Sequence, residues 1–286
     1  MNKNQIVLAP GSRFLAQSKI IFLRIYTILL CLIYLISINA CKHTDHSKII
    51  INNSKSGYIS TDVQQINKLN DEEITEGWIL LFDGETSKGW RGYDLDTFPA
   101  NGWKVEDGTI HCLYQNNKKK DQQPDIITVQ QYKDFEFSIE WMIGNGASSA
   151  IYILVQENED IPIWKTAISF KIADYIGNTD FKANGQDFKT RSLNNLYTYN
   201  THLSGLKGKW NQTRIILNQG KVTMIVNGEK LLECQLWTND WENIVNKSKY
   251  RGLSNILNPG GTDKKGYIGL QNNGSEVWFR NIKIKN

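Results

Sequence analysis

Histidine and cysteine are scarce in this chain, four of each in 286 residues. His43 and His46 fall in a polar stretch near the N-terminus, which leaves His111 and His202 far apart in sequence. Two separated histidines do not make a zinc cluster. No Asp-rich loop of calcium-binding spacing is present either, so no cofactor is expected; calcium on scattered loop oxygens is the one divalent-metal arrangement left open. Cys31 lies in an apolar N-terminal run and Cys41 just beyond it, so only Cys112 and Cys234 remain for a domain. An oxidising compartment would permit a bridge between them, but two separate buried thiols is the simpler reading, and geometry decides.

Excess charge is lacking as well. The formal charge of +4 is matched by Lys3, Arg13, Lys19 and Arg24, and residues 1–40 contain no acid. The rest of the chain is therefore neutral and lacks the basic footprint that phosphate binding requires, which excludes a nucleic-acid partner. A long hydrophobic span is missing too. Ile25 to Ile38 is apolar but short for a membrane helix, follows Lys19 and Arg24, and ends in Ile38-Asn39-Ala40-Cys41.

That N-terminus reads as an export signal. A small residue before cysteine after such a run resembles a lipoprotein cleavage box, which puts a diacyl anchor on Cys41 and removes residues 1–40. An uncleaved anchor, or an ordinary signal with an incidental cysteine, are the alternatives. All three place the domain outside the cytoplasm; the first makes the protein a bacterial cell-envelope lipoprotein of the outer membrane, tied to it by lipid. Residues 41–75 are polar, rich in Asn, Ser, Lys and Asp, and read as a tether. Residues 76–286 suit one all-β domain.

Strand signals dominate that domain. Phe135, Phe137, Ile139 and Trp141 alternate with Glu136, Ser138, Glu140 and Met142, a period of two. Asp107-Gly108, Gln219-Gly220 and Asn227-Gly228 separate apolar runs and predict tight hairpins, because a type I′ turn needs positive φ at both central residues. Asn272-Asn273-Gly274, between the runs Gly266–Leu270 and Val277–Ile284, predicts a closing hairpin with a break near Arg280-Asn281. One short helix is expected over Asp240 to Lys249, where Trp241, Ile244, Val245 and Ser248 share a face. Many short strands with frequent turns read as a sandwich or barrel.

Several of these strings also carry a resemblance. Gly77-Trp78-Ile79-Leu80-Leu81-Phe82-Asp83-Gly84, Gly89-Trp90, Trp103 to Gly108, Lys209-Trp210-Asn211-Gln212-Thr213-Arg214, Val226-Asn227-Gly228 and the closing segment together resemble the 3-keto-disaccharide hydrolase family. The resemblance implies a jelly-roll β-sandwich of the concanavalin-A-like lectin and glucanase type, and cleavage of oxidised glycosides in the envelope, with a carbohydrate as ligand. The chain departs from the family pattern at polar positions. Ser149 stands where serine is expected after the glycine-rich turn. Ser169 and Lys171 replace the usual Glu and Gln on the next strand, Asp174 is kept, no Asp matches after Tyr197, and Met224 takes a position often held by histidine. Such departures imply either a changed substrate or sugar binding without catalysis.

The candidate site follows from those positions. Lys171 would supply positive charge to an enolate or, if desolvated, act as base; the plain alternative is a surface lysine on an edge strand. Glu140 is an acid or base candidate, or else the solvent face of an alternating strand. Asp174 completes the catalytic candidates. Ser149, Ser169, Arg191, Tyr197 and Trp164 are the substrate-binding candidates. Trp164, in a loop after Ile161-Pro162-Ile163, is the tryptophan of the nine best placed to stand exposed as a sugar platform, the others sitting in the strand framework.

Overall fold

The computed structural model describes residues 66–114, 124–159, 161–174, 193, 196–197 and 206–286. All of them fall in one compact unit, 61–286. Two antiparallel sheets form a sandwich. The larger has strands β1 (Ile79–Leu80), β3 (Trp103–Glu106), β4 (Thr109–Cys112), β6 (Phe135–Ile143), β9 (Asn211–Asn218), β10 (Lys221–Val226), β11 (Glu229–Gln235) and β13 (Val277–Lys285). Its order is β11-β10-β9-β6-β13-β4-β3, with β1 also on β13. The smaller has β2 (Trp90–Gly92), β5 (Ile126–Tyr132), β7 (Ser148–Val155), β8 (Ile168–Ala173) and β12 (Gly266–Leu270), in the order β2-β5-β12-β7-β8. This is the expected jelly-roll sandwich.

Period-two alternation builds the core. On β6, Phe135, Phe137, Ile139, Trp141 and Ile143 are buried between the sheets, while Glu136, Glu140 and Met142 are only partly covered. Trp103, Trp241, Phe137, Phe170 and Phe279 are fully buried, each contributing on the order of 2–3 kcal/mol. The three tight hairpins form as the turn chemistry requires. Asp107 and Gly108, Gln219 and Gly220, and Asn227 and Gly228 all have positive φ.

The closing segment is not a hairpin. β12 belongs to the five-stranded sheet and β13 to the eight-stranded one, so residues 271–276 carry the chain across the sandwich. The Asn272 amide donates to the Gly102 carbonyl while its Oδ1 accepts from the Gly274 N–H, fixing that crossing. The break near Arg280-Asn281 is present as a β-bulge with Asn281 at φ 48°.

Short helices number three among the described residues. Asn239–Asn246 corresponds to the expected one, and Asp71–Thr75 and Ser254–Leu257 were not foreseen. The first of these two lies in the stretch read as tether. Residues 66–75 are part of the folded body: Asn70 and Glu73 form a capping box, Asn67 is buried, and its N–H and Oδ1 bond Asn281 reciprocally. Lys283 also bonds Glu73. The two thiols are free and buried; Cys112 is on β4 and Cys234 on β11.

Candidate functional site

Strand register decides which candidates meet. β7 and β8 pair Ser148 with Ala173, Ala150 with Lys171 and Tyr152 with Ser169. Directly opposed residues share a face. Ile151, Ile153, Ile168, Phe170 and Ile172 line the core, so Ser148, Ala150, Tyr152, Ser169, Lys171 and Ala173 lie on the face directed away from the other sheet. β12 continues that face with Gly269 beside Tyr152, and β5 with Ile127. The Gln271 N–H donates to the Ala150 carbonyl, which sets Gln271 beside Ala150, and Asp125, just before β5, accepts from the Asn272 N–H.

This outer face is covered rather than bare. Ile127, Ala150, Tyr152, Val155, Ile163 and Ala167 form a second buried apolar cluster on it. Gly269 makes that cover possible, since a Cβ there would stand 3.2 Å from Ile163 Cδ1 and 3.3 Å from Tyr152. Ile163 is held by the 3-10 turn Ile163–Lys165. Trp164, on the same turn, is 41 % exposed and lies edge-on to Tyr250, with ring centroids 6.5 Å apart. Lys249 sits over the Tyr250 ring.

The electrostatics of the face are unusual. Burial, with Lys249 adding repulsion, lowers the Lys171 ammonium to about 8. Burial pushes the Asp125 carboxyl up to about 7, although the Asn272 N–H donates to its Oδ1 at 2.6 Å. Burial also raises the Tyr152 phenol, with Asp125 and Tyr250 both within electrostatic reach of it. Tyr152 is 1 % exposed. At the same end Asn273 Nδ2 donates to Ser148 Oγ, and Asn273 Oδ1 is buried without a partner.

The sequence candidates divide accordingly. Lys171 and Ser169 come together on this face, and Trp164 stands at its rim. Asp174 lies just past β8, where its Oδ2 accepts from the Gly146 N–H and its own N–H donates to the Ala147 carbonyl, so it holds the glycine-rich turn. Ser149 does not belong to the face. It pairs with Ile172, is completely buried, and donates to the Gln271 carbonyl. Its parity with Ile151 and Ile153 was the signal that it points inward. Glu140 is on the outer face of the other sheet, accepting from Arg280 Nε and Asn281 Nδ2 at 2.8 Å each. Tyr197 is half-buried near Cys234 and Asp240, and Met224 is in the core. Arg191 and Cys41 lie outside the described residues.

Ser148, Tyr152, Asn273 and Asp125 were missed. Period two along β7 groups Tyr152 with Ser148, but only register joins them to Lys171, and Asp125 arrives from a distant strand. Among the described residues no three of His, Cys, Asp and Glu gather into a metal-ligating group. An open polar cavity of about 250 Å³, lined by Gln131, Gln156, Gly260, Thr262, Asp263 and Lys265, lies at the opposite strand ends from Lys171 and Asp125.

Residues 77–285 match the model of the 3-keto-alpha-glucoside-1,2-lyase-like domain. A protein of Bacteroides thetaiotaomicron named 3-keto-disaccharide hydrolase is 32% identical over 232 residues, 73% of this chain and 78% of that one. A crystal structure from Parabacteroides distasonis presented as a glycosyl hydrolase superposes with a TM-score of 0.67 at 27% identity, covering 77% of this chain and 99% of its own. A second from the same organism has a TM-score of 0.51 at 21% identity, over 69% of this chain and 98% of its own, and likens the fold alone.

Proposed function

Because this chain belongs to the 3-keto-alpha-glucoside-1,2-lyase-like family, we propose that it cleaves the glycosidic bond of 3-keto disaccharides or related oxidised glycosides, on the outer face of its five-stranded sheet. The observation that carries this reading is the 32% identity, across most of both chains, with a protein named 3-keto-disaccharide hydrolase. The site chemistry supports it. A ketone at C3 acidifies the hydrogen at C2; removal of that proton gives an enolate, which expels the glycosidic oxygen from C1, and water then adds to the enone. Such a route needs a base and an electrophilic partner for the enolate oxygen, not the two facing carboxylates of ordinary glycosidases. Lys171 provides the positive charge beside Ser169 and Tyr152. Incubating the purified chain with the 3-keto derivative of trehalose in deuterium oxide tests this: monosaccharide release with deuterium entering C2 is expected, and release with C2 hydrogen fully retained rules out the elimination.

The second reading is a carbohydrate-binding protein without catalysis, favoured by Ser169 and Lys171 standing where the family pattern carries Glu and Gln. Saturable binding of the keto-sugar with no monosaccharide released would favour it. In either case we place the protein in the bacterial envelope, anchored through a lipid on Cys41. This rests on the N-terminal signal and predicts that Cys41→Ala moves the protein from the membrane fraction to the soluble one.

A further inference from the structure

We propose that Trp164 and Tyr250, with Lys165 and Lys249 laid over their rings, form a platform that docks an acidic sugar at the rim of this site. The glycan it takes carries a carboxylate or a sulfate beside a sugar ring. The proposal rests on the carbohydrate ligand of the reading above and not on its cleavage.

The first argument is a ring held open to solvent. Trp164 is 41 % exposed, whereas Trp78, Trp90, Trp103, Trp141 and Trp241 are buried. An indole left in water forgoes hydrophobic stabilisation, and its face suits the C–H face of a sugar. The ring is fixed in place. Ile163 beneath it is buried, the Lys165 N–H donates to the Pro162 carbonyl at 2.8 Å, and the fully buried Thr166 donates its N–H and its hydroxyl to the Ile163 carbonyl. Tyr250 props the indole edge-on, the two rings inclined at 64°. Tyr250 is anchored in turn: Ser248 Oγ accepts from its N–H and donates to the Val245 carbonyl, and the Leu253 N–H donates to the Tyr250 carbonyl. A surface already fixed on two turns gives up little freedom when it binds.

The second argument is charge without a carboxylate. Lys165 Nζ stands 5.0 Å from the Trp164 ring centroid and Lys249 Nζ 5.1 Å from that of Tyr250. Neither lysine forms an ion pair among the described residues, whereas Arg91, Lys104, Arg214, Arg280 and Lys283 each reach a carboxylate. The acids nearest in sequence are directed elsewhere. Glu159, in the loop before Trp164, acts on Asp94. Asp240 and Glu242 sit in the first turn of the helix Asn239–Asn246, and Lys249 follows its far end. The platform also adjoins the face described above, since Lys249 repels Lys171 and Tyr250 lies within electrostatic reach of Tyr152. An anion placed between the two ammonium groups offsets that repulsion. An ammonium is a point charge with three donors, so a carboxylate and a sulfate serve equally. A bare anion would use the lysines alone; the open indole is what specifies a sugar carrying the charge.

The test uses the full chain and calorimetry with disaccharides of one linkage that end in glucuronic acid, in sulfated glucose or in glucose. An exposed ion pair is worth up to about fivefold in affinity. With two lysines engaged, the acidic disaccharides should bind about tenfold tighter than the neutral one, and the advantage should fade at high salt. Lys165→Gln combined with Lys249→Gln should erase that advantage and leave the neutral affinity unchanged. Trp164→Ala should weaken every disaccharide; Trp164→Leu, which keeps apolar bulk without the ring face, answers the same question if Trp164→Ala melts early. Acidic and neutral disaccharides binding alike, or a preference that survives the double lysine change, would overturn the proposal while the carbohydrate reading stands. Acid affinity untouched by Trp164→Ala and Trp164→Leu would overturn it as well, because charge alone would then be read. If the acidic disaccharides bind as expected while 3-keto-trehalose is neither bound nor cleaved, the platform stands and the proposed function falls. If no disaccharide binds, the platform falls.

Discussion

On the outer face of the eight-stranded sheet, opposite charges answer one another: Glu140 receives Arg280 and Asn281, Glu136 receives Arg214, and Glu73 receives Lys283. On the β7–β8 side of the five-stranded sheet's outer face, away from the Arg91–Glu157 pair on β2, burial works against charge. Lys171 is pushed toward its neutral amine and, at the strand ends, Asp125 toward its neutral acid. The two faces come from the same kind of alternating strand, so the difference is not one of architecture. The first pairs its charges, and the second keeps a desolvated ammonium at Lys171, a kind of group that functional sites often retain at a cost in stability.

Replacing Lys171 by Met tests the second face most severely. If its ammonium stabilises the enolate, kcat/KM should fall by about two to three orders of magnitude, with the loss in kcat rather than KM. A loss confined to KM would mean that Lys171 only binds the ground state.

Glu140→Ala probes the first face with the opposite signature. It strands the Arg280 guanidinium, which also lies 3.9 Å from the Trp210 ring centroid, and removes the acceptor for Asn281. The pair is only partly buried, so the cost should be about 2 kcal/mol, read as a lowered urea midpoint with kcat/KM unchanged. Lost activity without lost stability would return Glu140 to the site. Ser149→Ala is a smaller version of the same contrast. Deleting a buried hydroxyl that serves the Gln271 carbonyl should cost about 1 kcal/mol and leave turnover within twofold, whereas Ser148→Ala, one residue along and on the other face, should raise KM as well as cost about 1 kcal/mol for the Asn273 Nδ2 donation it loses.

That neighbouring pair shows what the sequence could disclose. The sandwich was legible because alternation and Asn-Gly-type turns are local signals, and each strand states its own two faces. Partners are not local. Turn residues at 272–274 announce a reversal but not the sheet that receives the next strand, so β12 and β13 read as a hairpin when they lie in different sheets. Glu140 and Lys171 both read as polar positions on alternating strands, and nothing in either strand says that their faces look in opposite directions. Asp125, next to Pro124 before a strand, carries no motif. It becomes notable only when the crossing segment 271–276 brings the Asn272 N–H to it. The resemblance points to the β7–β8 region and to Ser149, whose parity with Ile151 turns it into the core.

The smallest effect expected is in stability against pH, and it bears on the premise that the second face is strained. Lys171 holds its proton only below about 8 in the folded protein, against an ordinary 10.5. Between those values the unfolded chain binds a proton that the folded chain does not, so this residue makes stability rise as pH climbs from about 8 to 10.5. Below 8 its full penalty is present. Met at this position carries no such penalty, so Lys171→Met should melt higher than the wild type at pH 7, with the gap closing as pH approaches 10.5. Other titrating groups are common to both proteins and cancel in the difference. A gap that stays constant from pH 7 to 10, or has the reverse sign, would mean that Lys171 is not held in a desolvated site, and the contrast between the two faces would lose one of its supports.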